Sequence, residues 1–362
     1  MTLPRSCRLT SRERVERMLR REDHDSIPRY ESFWGDTLEA WQAAGHAQDP
    51  LDFLGADFCH ITWTEPHPFP GQDKLISEDA ETRLVQNAWG EKARFWKHRM
   101  GTPEHHGFPC EEREHWFDDV RQRFIEAPLN QNLDDIRNRL ALARRKGQWA
   151  CFCGLETFEI TRHVMGDEIT MIAMLEDPEW VADVSRVTTD ATLRLFQTIL
   201  DAGIDPDGIW IYGDMAYRSG LLCGPPLYRE LIWPDHKRMA DFAHERGLPF
   251  IYHTDGDVNL VIEDYIRAGF DCFQPMEAKA GIDLTKLAPL YGDRLSFFGN
   301  CDVMVYATND KDLIEEEVTK KVMAGMACKG YAYHSDHSVP PGTTWETFAF
   351  ICDLLDRIGN YE

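Results

Sequence analysis

Two apolar runs that each end in histidine and aspartate stand out in the hydrophobic pattern of the chain. Residues 250–257 and 330–337 both begin with β-favouring apolar and aromatic residues, and a helical spacing follows each of them. The polar residues that close the two runs are His253, Asp255, Asp257, His334, Asp336 and His337. If both strands lie parallel in one sheet, these residues meet at its carboxyl edge, where α/β folds keep their functional sites.

The same alternation of strand and helix runs through most of the chain. Strand-like runs occur at 27–34, 57–63, 148–154, 208–214, 250–254, 271–277, 295–300 and 330–334. Helices are predicted at 177–202, 226–246, 258–268, 283–290 and 311–327 and from Trp345 onward, and 156–164 is a loop or short helix. Eight βα units favour an α/β fold of the (β/α)8 TIM-barrel type over an open sheet.

Two segments depart from this alternation. Residues 1–22 have the periodicity of an amphipathic helix with Ser11 as its cap, which is typical of a surface helix that closes one end of a fold. Residues 66–147 are rich in turns and short alternating pieces, and we interpret them as an insertion with a small hairpin in an early βα connection. The chain is therefore predicted to be one domain, 1–362.

Composition narrows the class of protein. The formal net charge of −23 opposes binding to nucleic acid or to an anionic membrane surface. No apolar run approaches the twenty residues of a membrane span and no signal-peptide pattern is present, so a cytoplasmic location is expected. The ten cysteines are too few for a disulfide scaffold in 362 residues, and Cys151, Cys153 and Cys272 fall in apolar strands, where reduced thiols behave as small hydrophobes.

Polar residues collect at the carboxyl ends of the predicted strands. They are Glu31, His60, Glu156, Asp214, His253, Asp255, Gln274, Glu277, Asn300, Asp302, His334, Asp336 and His337. So many ionisable groups at one edge would repel each other unless a cation joined them, and imidazole with carboxylate suits a divalent metal. The alternative is that they are hydrogen-bonded residues without an ion, with Asp255 or Asp257 capping the next helix.

Residues beside this edge are assigned by their position on the strands. Asp214 follows a strongly apolar strand and is predicted to be a site residue, with Tyr217 lining the pocket. Tyr212, Tyr252 and Tyr333 precede the polar ends and are interpreted as packing on the strand faces. The histidines of the insertion, His98, His105 and His106, have no metal-type spacing and are expected to be exposed.

Four segments carry a resemblance to a known family. They are Pro249–Asp257, Ala268–Pro275, Tyr291–Asn300 and Gly330–Pro341. On these segments the chain resembles the uroporphyrinogen decarboxylase superfamily, in particular its methyltransferase-like branch that serves corrinoid-dependent methyl transfer. The resemblance is clearest over 205–360 and implies the (β/α)8 barrel.

Two departures from the family pattern shape the functional hypothesis. Porphyrinogen decarboxylases carry an arginine-rich segment after the first strand, whereas residues 28–35 here read Pro-Arg-Tyr-Glu-Ser-Phe-Trp-Gly. An octacarboxylate substrate would then enter an acidic mouth without partners, which disfavours uroporphyrinogen decarboxylation. The methyltransferase branch binds zinc through His-x-Cys and a distant cysteine. Here His253 matches the histidine, and Asp255 and Asp336 replace the two cysteines, a set suited to Zn²⁺, Mn²⁺ or Fe²⁺.

The resemblance and the residues together lead to one set of roles. The predicted metal ligands are His253, Asp255 and Asp336; the predicted catalytic residues are Asp214, His334 and His337; the predicted substrate-binding residues are Glu31, Glu156, Tyr217, Gln274 and Asn300. The expected reaction moves a methyl group between a corrinoid protein or small donor and a small acceptor. The chain has no Asp-x-His-x-x-Gly corrinoid motif, so a partner would supply any corrinoid.

Two alternatives stay open at this point. One is a metal-independent decarboxylase or other lyase acting on a small carboxylated or tetrapyrrole-type substrate. The other is a non-catalytic protein that binds a corrinoid or a tetrapyrrole. The sequence identifies neither the methyl donor and acceptor nor the oligomeric state.

Overall fold

A computed structural model describes residues 8–98, 101 and 103–361 of the chain. The thirteen strands in these residues are β1 (Phe58–His60), β2 (Lys74–Glu78), β3 (Thr82–Gln86), β4 (Lys92–Trp96), β5 (Glu104–Gly107), β6 (Trp149–Leu155), β7 (Gly208–Tyr212), β8 (Ala216–Tyr217), β9 (Gly220–Leu221), β10 (Phe250–Thr254), β11 (Cys272–Pro275), β12 (Ser296–Phe298) and β13 (Tyr331–Ala332).

Sixteen α-helices lie in the same residues. They are α1 (Ser11–Leu19), α2 (Gly35–Ala43), α3 (Pro50–Leu54), α4 (Arg113–His115), α5 (Arg121–Glu126), α6 (Leu133–Lys146), α7 (Thr157–Met165), α8 (Asp167–Glu176), α9 (Pro178–Asp201), α10 (Pro225–Leu231), α11 (Trp233–His244), α12 (Ile262–Ala268), α13 (Leu284–Tyr291), α14 (Val303–Tyr306), α15 (Lys311–Met326) and α16 (Trp345–Ile358). Among the described residues no helix combines the length and the apolar character needed to cross a membrane.

Seven of the strands form one parallel sheet in the order β1-β6-β7-β10-β11-β12-β13. The chain visits these strands in sequence, with helices between them, which makes an α/β fold with a curled sheet. His253 lies opposite Tyr212 on one side and Gln274 on the other. The predicted α/β alternation is confirmed for these seven strands.

The eighth predicted strand, 27–34, runs beside the sheet without forming a regular ladder. Single parallel bridges join Arg29 to Tyr333 and Phe33 to Val339. On its other side, the backbone N–H of Asp57 donates to the carbonyl oxygen of Arg29 at 2.8 Å. The ladder is interrupted because Pro28 has no N–H and because the N–H of Arg29 donates to a carboxylate oxygen of Asp57. The segment thus lies between the last strand and the first.

Alternate residues of the parallel strands divide the core in two. Side chains on one face meet the helices and make the larger hydrophobic cluster. Side chains on the other face, together with three from α1, make a second cluster, the inner core, which consists of Val15, Met18, Leu19, Phe58, Trp149, Cys151, Cys153, Trp210, Ile251, Cys272, Phe298 and Ala332. The inner core is closed at the amino end of the strands by the apolar face of α1.

Helix α1 begins one residue earlier than the sequence suggested. Its cap is Thr10, not Ser11, because the Thr10 hydroxyl oxygen accepts the N–H of Glu13 while the Glu13 carboxylate accepts the N–H of Thr10. Residues 1–7 of the predicted helical region lie outside the described residues. The segment 156–164, predicted as a loop or short helix, forms α7, and the nine described cysteines are free thiols.

The insertion is more extensive than the predicted hairpin. Strands β2, β3, β4 and β5 form a four-stranded antiparallel sheet, because the alternating residues of 74–107 supply four strands and not two. That 66–147 belongs to the same domain as the parallel sheet stays a prediction.

One buried carboxylate fastens this small sheet to α7. Glu91 is hydrogen-bonded to His105 on β5, and Nδ1 of His163 on α7 lies 3.3 Å from its other oxygen. Burial alone would raise the pKa of Glu91, but hydrogen bonds from the two histidines lower it to about 2. The hydrogen bond to Glu91 raises the pKa of His105, and the same carboxylate outweighs burial and raises the pKa of His163. His98, His105 and His106 are exposed, as the sequence predicted, and His105 lies on β5 and is paired with Glu91.

We expect this contact to make stability depend on pH. Histidines with raised pKa values stabilise the fold below their ordinary pKa of 6.5 and lose that contribution as the pH rises through the raised values. Glu91, with a lowered pKa, stabilises above its ordinary 4.5 and loses its contribution as the pH falls toward about 2. The difference in melting temperature between wild type and Glu91→Gln should be largest between these two ordinary pKa values and should shrink toward pH 9.

The matched control is Glu81→Gln, which changes an exposed carboxylate of the same small sheet region. Its difference from wild type should be small at every pH. Other carboxylates also raise the pKa of these histidines: Asp167 that of His105, and Glu159 and Glu65 that of His163. For this reason the quantity compared is the difference in melting temperature between wild type and each variant at the same pH. A Glu91→Gln difference that is constant from pH 5 to pH 9 would contradict the assignment.

Candidate active site

The inner core ends in a layer of polar side chains at the carboxyl end of the sheet. Each member lies two residues after an inner-core residue on the same strand, and the two-residue period of a strand keeps it on the same face. This polar layer consists of His60, Tyr212, His253, Gln274 and His334. The layer provides the floor of a site built by the following loops.

Tyr212 is central to the polar layer. Its ring centroid lies 4.6 Å from that of His253, and its hydroxyl oxygen lies 3.3 Å from Nε2 of His60. Sequence reasoning placed Tyr212 with Tyr252 among strand-packing residues. The two differ by parity: Tyr212 shares a face with inner-core Trp210, whereas Tyr252 points to the helices. The two-residue period of the strands would have identified Tyr212 from the sequence, because it lies near the end of β7 as His253 lies near the end of β10, and two residues after Trp210.

His253 is oriented by a neighbouring strand. Its Nδ1–H donates to the amide oxygen of Gln274 at 2.5 Å, which is the contact expected from their opposed positions on β10 and β11. An amide oxygen only accepts hydrogen bonds, so the proton of a neutral imidazole sits on Nδ1. Nε2 is left with its lone pair, and it lies 3.9 Å from Oδ1 of Asp214, too far for a direct hydrogen bond.

Two carboxylates lie close to that nitrogen atom of His253. Asp214, His253 and Asp255, hereafter the Asp–His–Asp cluster, each offer a ligand atom within 4.8 Å of the other two. The backbone N–H of Asp255 donates to Oδ1 of Asp214 at 3.0 Å. Oδ1 of Asp255 is buried, and within the described residues it has no hydrogen-bond partner. A buried carboxylate oxygen without a donor is costly unless a cation meets it.

The charge of the cluster points the same way. Burial raises the pKa of Asp255 to about 6, and the neighbouring carboxylates of Asp214 and Glu277 add to the shift. His253 and His337 oppose it in part. Two carboxylates are thus held close together against their mutual repulsion, an arrangement that a divalent cation would stabilise.

The turn after His253 is fixed by glycine. Gly256 has a φ of +85°, and a Cβ there would lie 2.5 Å from the backbone of Ala216. Its N–H donates to Glu277 at 2.7 Å, and the hydroxyl of Thr254 accepts the N–H of Met215 at 2.9 Å. The bond between Thr254 and Met215 joins the strand ends that carry Asp255 and Asp214, and the bond from Gly256 to Glu277 ties the Asp255 loop to the turn after β11.

Helix α7 holds the other side of Asp214. The backbone N–H of Asp214 donates to the carboxylate of Glu159 at 3.1 Å, and Arg162 donates to the carbonyl oxygen of Asp214 at 3.2 Å. Glu159 and Arg162 are also paired with each other. The backbone at this strand end is therefore positioned by a helix that also contacts the insertion through His163.

The two predicted catalytic histidines occupy different environments. Nε2 of His337 lies 3.6 Å from Oδ2 of Asp255. The His337 ring stacks on that of Trp34, with 5.9 Å between the ring centroids. His334 is buried; its Nδ1–H donates to the carbonyl of Ser335, and Nε2 lies 3.2 Å from the Ser32 hydroxyl. Burial lowers the pKa of His334 to about 3. The structure brings His337 and the predicted Asp214 to the cluster and leaves His334 in the polar layer.

The predicted ligand Asp336 is engaged elsewhere. Its Oδ1 accepts the backbone N–H of Val303 at 2.9 Å, and its Oδ2 accepts that of Ala278 at 3.0 Å. Burial raises the pKa of Asp336 to about 6. It is not part of the three-residue cluster, in which Asp214 stands beside His253 and Asp255. Asp336 is held by backbone N–H groups of Val303 and Ala278, which are distant in sequence, so no local sequence pattern could predict that it lies outside the cluster.

Two predicted substrate-binding carboxylates are buried in hydrogen bonds. Glu31 accepts bonds from Ser335 and Tyr333, and burial raises its pKa to about 8. Glu156 caps α7 by accepting the N–H groups of its first turn, and it also meets His236 at 2.7 Å. Both carboxylates are buried and hydrogen-bonded within the protein, and their role in substrate binding stays a prediction.

Of the three remaining predicted substrate-binding residues, one is buried in structural hydrogen bonds, one is exposed, and Gln274 contacts His253. Asn300 accepts from the N–H of Leu284 and from Lys321, and it donates to the carbonyls of Met276 and Ile282. Tyr217 is 58% exposed on the short β8–β9 hairpin at the rim. Of the five predicted, Gln274 contacts the cluster and Tyr217 faces solvent.

A comparison of the sequence with protein families now places the chain. The sequence pattern of the family described as uroporphyrinogen decarboxylase (URO-D) matches residues 158–358, which is 201 of the 362 residues. The chain belongs to the URO-D family. The match includes Asp214, His253 and Asp255, and it confirms the resemblance read from the sequence. None of the curated proteins matches the chain.

Solved structures extend the URO-D comparison to nearly the whole chain. A methyltransferase from Methanosarcina mazei is similar over 96% of this chain and 98% of its own, with a TM-score of 0.66 and 15% sequence identity. At that identity the likeness concerns the fold. It covers the N-terminal part, which the family match leaves out.

Replacing Asn300 tests its role as a fastener. Asn300→Ala removes four hydrogen bonds and leaves the buried Lys321 ammonium with fewer partners, so we expect the free energy of unfolding to fall by roughly 2–4 kcal/mol. Urea denaturation measures the change. Tyr217→Phe, at the exposed rim, should stay within about 0.5 kcal/mol of wild type. An Asn300→Ala protein as stable as wild type would contradict the structural role of Asn300.

Proposed function

We propose that this URO-D family member is a metal-assisted enzyme that transfers a methyl group between a corrinoid protein or small donor and a small acceptor. The observation that supports it best is the Asp–His–Asp cluster, in which a lone pair of His253 and an unpartnered oxygen of Asp255 face a third donor, Asp214. A partner protein would supply the corrinoid, and a cytoplasmic setting is part of the proposal.

We also propose that the sheet closes into a (β/α)8 barrel of one domain, with 66–147 inserted. Support comes from residues 28–33, which are hydrogen-bonded to β13 at Tyr333 and to the start of β1 at Asp57. A closed barrel converges the carboxyl ends of its strands on one mouth, the usual place for its catalytic residues.

The donor set fits a divalent cation. One imidazole nitrogen and two carboxylates suit Zn²⁺, Mn²⁺ or Fe²⁺. In our proposal Asp214 is the third ligand, in place of Asp336, which the sequence analysis had predicted. The hydrogen bond from His253 to Gln274 is the kind of outer contact that fixes the tautomer of a metal-binding histidine. Such a cation would supply Lewis acidity to an acceptor group such as a thiol or hydroxyl.

The surrounding residues have roles that need no bound group. His337, 3.6 Å from Asp255 and partly exposed, is placed to receive a proton from an acceptor at the mouth. Tyr212 and the rest of the polar layer keep water from the floor, and Tyr217 stands at the rim. His334, neutral and hydrogen-bonded, positions the layer.

The charges at the mouth favour methyl transfer over decarboxylation of a polyanion. The guanidinium nearest to Asp214, that of Arg162, is already paired with Glu159 and Asp167. A substrate with several carboxylates would face Asp214 and Asp255. A lyase of the metal-independent kind predicts activity that survives chelation, and a non-catalytic binder predicts no turnover and no effect of replacing His253.

Replacing Asp255 tests the cation. Asp255→Ala removes one of three ligands and should lower the metal content of purified protein, measured by elemental analysis at matched purity. Asp257→Ala is the control, because Asp257 lies on the same loop but accepts the N–H of Asn259 and stands outside the cluster. Equal metal in wild type and Asp255→Ala would end the metal hypothesis.

Activity is assayed with methylcobalamin as donor and 2-mercaptoethanol as acceptor. We expect wild type to demethylate the cobalamin, chelation to abolish the rate, and the metal to restore it. Asp255→Ala should be inactive while Asp257→Ala retains activity. A rate that chelator leaves unchanged would favour the lyase-type alternative or another metal-free reaction.

Gln274 provides a test of the outer contact. Gln274→Leu removes the acceptor for Nδ1–H of His253, so metal affinity should fall by about 10–100-fold. Gln274→Glu keeps an oxygen acceptor and should restore tight binding. Competition with a chelator of known affinity measures both, and equal affinities in the leucine and glutamate variants would count against the contact.

A further inference from the structure

A second group of metal-type ligands combines two inner-core thiols with a histidine of the polar layer and shares no residue with the Asp–His–Asp cluster. Cys151 and Cys153 point inward from β6, and His60 lies opposite Cys151 on β1. Each of the three offers a donor atom within 4.8 Å of the other two. Both thiols are fully buried.

The spacing of the sulfur atoms suits a shared ion. Sγ of Cys151 lies 3.7 Å from Sγ of Cys153. In a tetrahedral zinc site with Zn–S bonds of about 2.3 Å, two sulfur ligands are about 3.8 Å apart. The two thiols can therefore meet one ion without a backbone change.

A disulfide between the same residues fits less well. Residues i and i+2 of an extended strand have Cα atoms about 6.6–6.8 Å apart, at the upper limit of disulfide geometry. The Cys151 thiol also donates toward the carbonyl oxygen of Cys59 at 3.6 Å, which is a contact of the reduced form.

Charge selects the class of ion. A thiolate without a counter-charge is unfavourable in the apolar inner core, but two thiolates and a neutral imidazole around a divalent cation have no net charge. Sulfur and imidazole donors prefer a thiophilic ion such as Zn²⁺ over Mg²⁺ or Ca²⁺.

We propose that His60, Cys151 and Cys153 form a second metal site, which takes a thiophilic divalent cation of the Zn²⁺ class. The ligands come from two hydrogen-bonded strands, so the site is held by the sheet and not by a loop. Three protein ligands leave the fourth position of a tetrahedral ion to water or another small ligand. The proposal does not depend on the function proposed above.

Cadmium distinguishes the two sites, because only a thiolate ligand gives a cadmium–sulfur charge-transfer band in the ultraviolet. Reduced full-length protein titrated with Cd²⁺ should develop this band and reach saturation at one sulfur-bound ion per chain. Asp255→Ala should keep the band, whereas Cys151→Ser and Cys153→Ser should each lose most of it. Cys272→Ser is the matched control, since Cys272 is an inner-core thiol outside the His60 group.

Zinc content gives a second readout. Native mass spectrometry of protein from zinc-supplemented cells should find one zinc fewer in Cys153→Ser than in wild type. Asp255→Ala should also contain one metal ion fewer than wild type, because it removes a ligand of the Asp–His–Asp cluster. If Asp255→Ala alone loses a metal ion, the inner-core site is overturned while the proposed function stands. If Cys153→Ser alone loses one and Asp255→Ala keeps its zinc, manganese and iron content, the inner-core site stands and the metal of the Asp–His–Asp cluster is overturned.

A measurement on unaltered ligands covers the case in which the serine variants do not fold. Zinc-edge X-ray absorption of Asp255→Ala protein should show sulfur neighbours at about 2.3 Å. A shell of nitrogen and oxygen only, no cadmium band in wild type, a band that persists in both serine variants, or a Cys151–Cys153 disulfide in freshly purified protein would each overturn the proposal.

Discussion

The two-residue period of the parallel strands determines where chemistry can occur in this protein. Every second residue faces the inner core, so the last inward residue of each strand belongs to one layer, whatever the chain does afterwards. His60, Tyr212, His253 and His334 come together for this reason, although they are distant in sequence. The loops that follow then need only a short turn to set Asp214 and Asp255 above the layer.

Strand runs and the paired residues of one strand end could be predicted from the sequence, because both depend on local order. His253 and Asp255 were found in this way. The segment 27–34 has the composition of a strand. Its ladder is nevertheless interrupted, because Pro28 has no backbone N–H and the N–H of Arg29 donates to the Asp57 side chain. The four-stranded sheet of the insertion was underestimated because its short alternating pieces resemble loop.

Residue type alone could not separate ligands from fasteners. Glu31, Glu156, Asn300 and Asp336 all follow strands, as Asp214 does, but their polar atoms are consumed by hydrogen bonds within the protein, most of them from backbone N–H groups of neighbouring loops and helices. A carboxylate that caps a helix and one that faces a substrate have the same sequence signature. Only the partners of each oxygen distinguish them, and these depend on contacts between distant parts of the chain.

Helix α7 connects the insertion with the strand end that carries Asp214. The same face of the helix meets Glu91 through His163 and holds the Asp214 backbone through Glu159 and Arg162, since these three residues are three and four positions apart. The small antiparallel sheet is therefore joined through one helix to the strand end that carries Asp214. A molecule wedged between that sheet and the helix would break the Glu91–His163 contact and so disturb the Asp214 backbone from a distance, without occupying the carboxyl end of the sheet.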